Sequence, residues 1–153
     1  MMVTAWRIVA TRFASGAFSG EGARRDGGRW NSPGVRMVYT AGTMSLALLE
    51  LLVHLNSGEP LPSFSRCSVR FDESLVATLD LKQLPKNWRH SPVPAAVQAL
   101  GDQWIAAGRS LILKVPSATV EEESNYLINP EHPDFKLLEF GEFEPIRLDP
   151  RLL

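Results

Sequence analysis

Strand and helix signals mix along this chain without a regular β-α-β rhythm, which predicts an α+β fold with a mixed β-sheet core and flanking helices. Three observations carry that expectation. Hydrophobic residues make up 44% of the chain, enough for a folded core and too many for a disordered one. Short runs rich in β-branched and aromatic residues recur between glycine and proline breaks. Two longer stretches, Thr43–Leu55 and Pro94–Ala107, carry helical character. A length of 153 residues fits one compact domain spanning residues 1–153, with no repeat, low-complexity tract or internal boundary.

Val3–Ala10 (VTAWRIVA) reads as an opening strand. Residues 11–36 are glycine-rich and lack apolar periodicity, so a long loop is expected, a length more often functional than idle. Arg36–Ala41 reads as a second strand, then a helix runs from an N-cap at Thr43 to Asn56-Ser57-Gly58. Pro60 and Pro62 break the chain, and Ser68–Phe71 and Leu75–Leu81 are expected as strands. After a loop marked by Pro85, Pro92 and Pro94, an amphipathic helix runs over Pro94–Ala107 with proline in its first turn and Gly108 as its stop. Ser110–Val115 is a short buried strand that ends at Pro116-Ser117. Glu121–Asn129 is expected as a helical turn before Pro130, and Phe135–Leu148 as one or two strands bent at Gly141.

Charge narrows the classes. The net charge is −1, yet residues 1–36 carry six arginines against Glu21 and Asp26, a balance of +4. Residues 117–153 carry nine acids against Lys136, Arg147 and Arg151, a balance of −6. A nucleic-acid binder would be basic overall. The asymmetry suits an anion pocket in the first quarter and an acidic end facing solvent or a partner, although two solvated faces would read the same way. No apolar run is long enough to span a membrane, and the N-terminal segment lacks the features of a signal peptide. Cys67 stands alone, which excludes a disulfide framework and a cysteine metal site and favours a reducing cytoplasm.

One residue stands out. Glu50 lies among Met44, Leu46, Leu48, Leu49, Leu51, Leu52, Val53 and Leu55, on a helix apolar nearly all round and therefore expected to be largely buried. A buried ionised carboxylate costs several kcal/mol unless something compensates it. Either it is a salt-bridged structural group near the helix end, or it belongs to a functional site. Arg29 follows two glycines and offers a planar fork for phosphate oxygens. Trp30 offers an aromatic face or plugs the core, and Tyr39 either stacks and hydrogen-bonds from its strand or is a core tyrosine. His54, His90 and His132 show no metal-ligand spacing, and there is no P-loop, no GxGxxG and no nucleophile elbow at Ser117. An acid, an arginine and aromatic shelves suit a dinucleotide whose sugar–base bond is to be broken, because a fixed carboxylate stabilises an oxocarbenium-like carbon.

Three blocks, GGRWNSPGVRMVYTAGTMSLALLELLVHL, LILKVPSATV and ESNYLINPEHPDF, together resemble the RES domain family. The Arg, Glu and Ser that name that family fall on Arg29, Glu50 and Ser117. The resemblance implies an ADP-ribosyltransferase-like fold and the toxin of a type II toxin–antitoxin module. It implies NAD⁺ as substrate, cleavage of the nicotinamide–ribose bond by a glycohydrolase or phosphorylase, and no metal. It implies a cognate helix-turn-helix antitoxin of the Xre type, with neither direct nucleic-acid contact nor a membrane, and it leaves room for a homodimer within the toxin–antitoxin complex. The roles implied are phosphate or ribose binding for Arg29, with Arg7 a further candidate on the phosphate side. Glu50 holds the nicotinamide ribose and stabilises the cationic state, Tyr39 orients the nicotinamide, and Ser117 hydrogen-bonds in the pocket or shapes its turn. Trp30 stays among the cofactor-binding candidates. Asn125 and Asn129 read as loop-ordering residues. His54, one turn after Glu50, would tune it. Transfer of ADP-ribose to a protein, and a non-catalytic NAD-binding module, are the alternatives.

Overall fold

The computed structural model describes residues 1–55 and 58–153. Among the described residues eight strands build one sheet: β1 (Met2–Ala10), β2 (Val38–Ala41), β3 (Phe64–Asp72), β4 (Val76–Thr78), β5 (Ile112–Pro116), β6 (Ser124–Ile128), β7 (Glu139–Phe140) and β8 (Glu144–Pro145). Their order is β4-β5-β6-β2-β1-β3-β7, with β8 also on β3. β4 and β5 run parallel and the other pairs are antiparallel. The α-helices α1 (Glu21–Asp26), α2 (Met44–His54) and α3 (Ala95–Ala107) complete the α+β architecture expected from the sequence.

Strand alternation divides the core in two. Ala5, Val38, Val69, Phe71, Ile112 and Ile128 pack on one face. Trp30, Met37, Leu79, Val97, Leu113, Val115 and Leu127 pack on the other, with Tyr39 at their edge. Each large side chain buried here contributes roughly 1.5–3 kcal/mol. β1 and β3 pair along their whole length, from Met2↔Asp72 to Ala10↔Phe64. β1 meets β2 only at Trp6↔Ala41, so the two strands diverge beyond that pair.

Several elements differ from expectation. Residues 11–36 hold a 3-10 turn (Thr11–Gly16) and α1, so they are not one continuous loop. Glu121–Asn129 is not a helical turn: its second half is β6, paired on both sides by β2 and β5. β6 itself is Ser-Asn-Tyr-Leu-Ile, and its two ladders outweigh the helical-turn reading drawn from the prolines that follow. Leu75–Leu81 divides into the end of a 3-10 turn and the short β4, because the Asp72 side chain caps Ser74 N at 2.9 Å. Phe135–Leu148 supplies the two short strands β7 and β8 with Gly141 between them, its amide on the Ser68 carbonyl at 2.8 Å. α2 ends at His54, and the expected stop at Asn56-Ser57 lies outside the described residues. Nor is α2 largely buried: it buries Leu46 and Ala47 over Ala41, Trp6 and Ile8, while Leu49 is 43% and Val53 65% exposed. A helix resting on a sheet buries one stripe, whatever the polarity of its other sides.

Candidate active site

α2 starts on Thr43, whose Oγ1 accepts from Leu46 N at 3.0 Å, and this cap sets where the next turns fall. Two turns later Glu50 meets one side chain from β6 and one from the turn that follows β5. Asn125 on β6 donates from Nδ2 to Glu50 Oε1 at 2.9 Å and to the Thr40 carbonyl at 3.2 Å. Ser117, fully buried just after β5, donates from Oγ to Glu50 Oε2 at 2.9 Å. The same Oγ accepts from Thr119 N at 3.1 Å and Val120 N at 3.2 Å, so it shapes its turn and binds the carboxylate at once. Burial raises the Glu50 pKa, the Asn125 and Ser117 hydrogen bonds oppose it, and His54 lowers it slightly while Glu123 raises it. No Lys or Arg among the described residues forms an ion pair with Glu50. The salt-bridged structural glutamate is therefore set aside, and the charge is held by neutral donors.

The Arg29 loop lies on the same sheet face. Tyr39 donates its phenol to Asn31 Oδ1 at 2.6 Å and accepts from Trp30 N at 3.0 Å. Asn31, also fully buried, donates Nδ2 to the carbonyls of Ala23, Ser32 and Val35. Gly28 is required there, because a Cβ would lie 2.6 Å from the Tyr39 oxygen. Burial is the main reason the Tyr39 pKa is driven upward, so the phenol stays protonated and committed to the loop. Arg29 emerges from this scaffold and donates Nη1 to the carbonyls of Trp88 (2.8 Å) and His90 (3.0 Å). Burial lowers its pKa, with neighbouring Tyr39 acting in the opposite sense and Arg89 in the same one.

Trp30 is 2% exposed and packed in the core near Trp88, ring centres 6.3 Å apart, so its ring offers no face to a ligand. Arg7 occupies the divergence of β1 and β2, donating Nε to the Ala17 carbonyl (2.6 Å) and Nη1 to the Tyr39 carbonyl (3.0 Å). Burial lowers its pKa to about 10. Glu50, Ser117 and Asn125 thus form one bonded cluster, and Tyr39 and Arg7 meet at β2 beside it. Arg29 makes no direct bond to Glu50. Two surface cavities of about 290 and 280 Å³ lie elsewhere, one among Phe18, Phe135, Phe140 and Phe143, the other among Met44, Leu48, Ile146 and Leu148. Among the described residues no group of three His, Cys, Asp or Glu could hold a metal. Asn125, expected to order a loop, instead holds Glu50. Reading Ser124–Ile128 as a strand would have placed Asn125 on the Leu127 face. Asn129 does order its turn, its Oδ1 accepting from Glu131 N at 3.0 Å.

Residues 4–149 match the RES domain. The chain belongs to the RES domain family. This RES chain is 37% identical over 149 residues to "Toxin Res" of Yersinia enterocolitica, covering 96% of this chain and 97% of that protein. It is also 37% identical over 159 residues to the "Prs ADP-ribosylating toxin" of a Sphingobium species, covering 100% and 98%. Among solved structures, the RES fold matches a chain of the M. tuberculosis MbcT–MbcA toxin–antitoxin complex with a TM-score of 0.77, covering 95% of this chain and 85% of that one at 18% identity. The likeness establishes a shared fold.

Proposed function

We propose that this RES protein is the toxin of a toxin–antitoxin pair and consumes NAD⁺ by cleaving its nicotinamide–ribose bond. The observation that carries the reading is Glu50: a carboxylate fixed by Asn125 and Ser117, with no basic side chain paired to it among the described residues. Such a group is matched to positive charge that develops during a reaction. When the glycosidic bond breaks, its electron pair leaves with neutral nicotinamide and the ribose carbon becomes oxocarbenium-like. Glu50 stabilises that carbon and the ribose hydroxyls beside it. Water or phosphate then adds to the carbon and gives up a proton. Arg29 and Arg7 are the cations for the pyrophosphate, Tyr39 flanks the nicotinamide end, and Ser117 holds Glu50. No metal is needed.

The names of the relatives support the toxin reading, and one relative is named for ADP-ribosylation. That favours a second reading in which a protein takes the ADP-ribose in place of water. Both share the first bond cleavage. The similar solved chain comes from a complex with an antitoxin, which supports an antitoxin partner here. We assign it to the Xre helix-turn-helix type, acting in the cytoplasm.

The test incubates purified protein with NAD⁺, with and without phosphate, and resolves the products. Nicotinamide release is expected, and Glu50→Ala should lower it about 10²–10³-fold. Release that is unchanged in that variant rejects the mechanism. Label from NAD⁺ retained on a macromolecule would select the transferase reading.

A further inference from the structure

We propose that Arg89 is a positioning residue of this site: it pins the Ser117 turn against Glu50 and sets the span between Glu50 and Arg29. The chemical meaning of that role rests on the NAD⁺ reading above, but the geometry stands without it. Arg89 lies in the connection between β4 and α3. Its side chain crosses to the β5–β6 turn, donating Nε to the Ala118 carbonyl at 2.9 Å and Nη2 to the Thr119 carbonyl at 3.4 Å. Nη1 lies 3.6 Å from Glu121 Oε2 on the same turn. These residues directly follow Ser117, and the Thr119 amide is one of the two that orient the Ser117 hydroxyl. The carbonyls on either side of Arg89, those of Trp88 and His90, hold Arg29. Three consecutive residues therefore bind both halves of the proposed cleft.

The remaining bonds of the turn tie its far end. Ser117 N donates to the Glu123 carbonyl at 2.9 Å, and Thr43 Oγ1 donates to Glu123 Oε1 at 3.0 Å. Arg89 holds the outer carbonyls, and a guanidinium fork suits two successive oxygens where a single ammonium reaches one. Without it the turn can move outward and take the Ser117 hydroxyl from Glu50, removing a donor that favours the charged carboxylate. The other groups around Glu50 are His54 on its own helix, Glu123 on the turn and neutral Asn125 from β6. β1 and β2 present Trp6, Ile8 and Ala41 to this helix.

The test follows the Glu50 side-chain carbon by NMR in ¹³C-labelled protein, assigned with Glu50→Gln, through a pH titration. Arg89→Ala should raise the Glu50 midpoint by about half a unit, and Arg89→Lys by less. Ser117→Ala should raise it at least as far, and adding Arg89→Ala to Ser117→Ala should shift it no further, because one residue acts through the other. Nicotinamide release should fall about tenfold in Arg89→Ala, through kcat with little change in KM. An unmoved midpoint in Arg89→Ala overturns the proposal, with or without a lower thermal midpoint. Shifts that simply add also overturn it. If the native protein releases no nicotinamide, the NAD⁺ reading fails while the titration still decides Arg89.

Discussion

Glu50 binds its proton more tightly in the folded chain than in the unfolded one, because burial outweighs its two hydrogen bonds. A carboxyl raised above its ordinary 4.5 contributes stability that is whole below that value and lost as pH rises through the folded pKa. The native thermal midpoint should therefore fall relative to that of Glu50→Gln as the pH rises above the ordinary carboxyl value of 4.5, read by calorimetry. A constant difference would contradict the raised pKa. Tyr39 poses a different question at this scale, since its hydroxyl both accepts from Trp30 N and donates to Asn31. Tyr39→Phe leaves two buried partners unpaired and should cost about 1–3 kcal/mol in a denaturant titration. A cost under about 0.5 kcal/mol would show that the Asn31 bonds to Ala23, Ser32 and Val35 hold the loop alone. Glu50 was legible in the sequence because a charge in an apolar run is costly wherever that run turns it into the interior. Asn31 and Asn125 were not legible, because asparagine is ordinary in loops and its work depends on which distant groups reach it.

α3 contains a glycine that local preference would replace. In a helix interior alanine is better than glycine by about 1 kcal/mol. Yet a Cβ at Gly101 would overlap the Trp30 carbonyl oxygen and press on the Met37 methyl at 3.1 Å. The overlap involves backbone held by Tyr39, so it cannot be relieved by a rotamer change. Gly101→Ala should therefore destabilise the protein by about 1–3 kcal/mol despite its better propensity, as a lowered thermal midpoint would show. The same conflict of scales separates the elements that were readable from those that were not. α3 was expected over Pro94–Ala107 and spans Ala95–Ala107, its Gly108 stop in the left-handed region at φ 61°. Local signals sufficed there. β6 was misread because its strand character comes from the two neighbours that pair with it. The exposure of α2 was misread because its apolar faces outnumber the surfaces available to cover them.

Over the whole molecule, stability should follow the sheet outward from its longest ladder. β1 and β3 pair along nine residues each, with Ala5, Val69 and Phe71 fully buried. β7 and β8 are two residues each and exposed. Hydrogen exchange should leave the amides of Val69 and Phe71 the most protected and those of β7 and β8 the least, and comparable protection would contradict this gradient. The sequence by itself determined the α+β class, the opening strand, the start of α2, the extent of α3 and the presence of one anomalous carboxylate. Those follow from periodicity, caps and the cost of burying charge, all of which act over a few residues. Only the tertiary structure decided what compensates Glu50, that Trp30 is core, and that Arg7 fills the divergence of β1 and β2. Each of those depends on groups ten to seventy-five positions apart, and such meetings are set by the packing of the sheet as a whole.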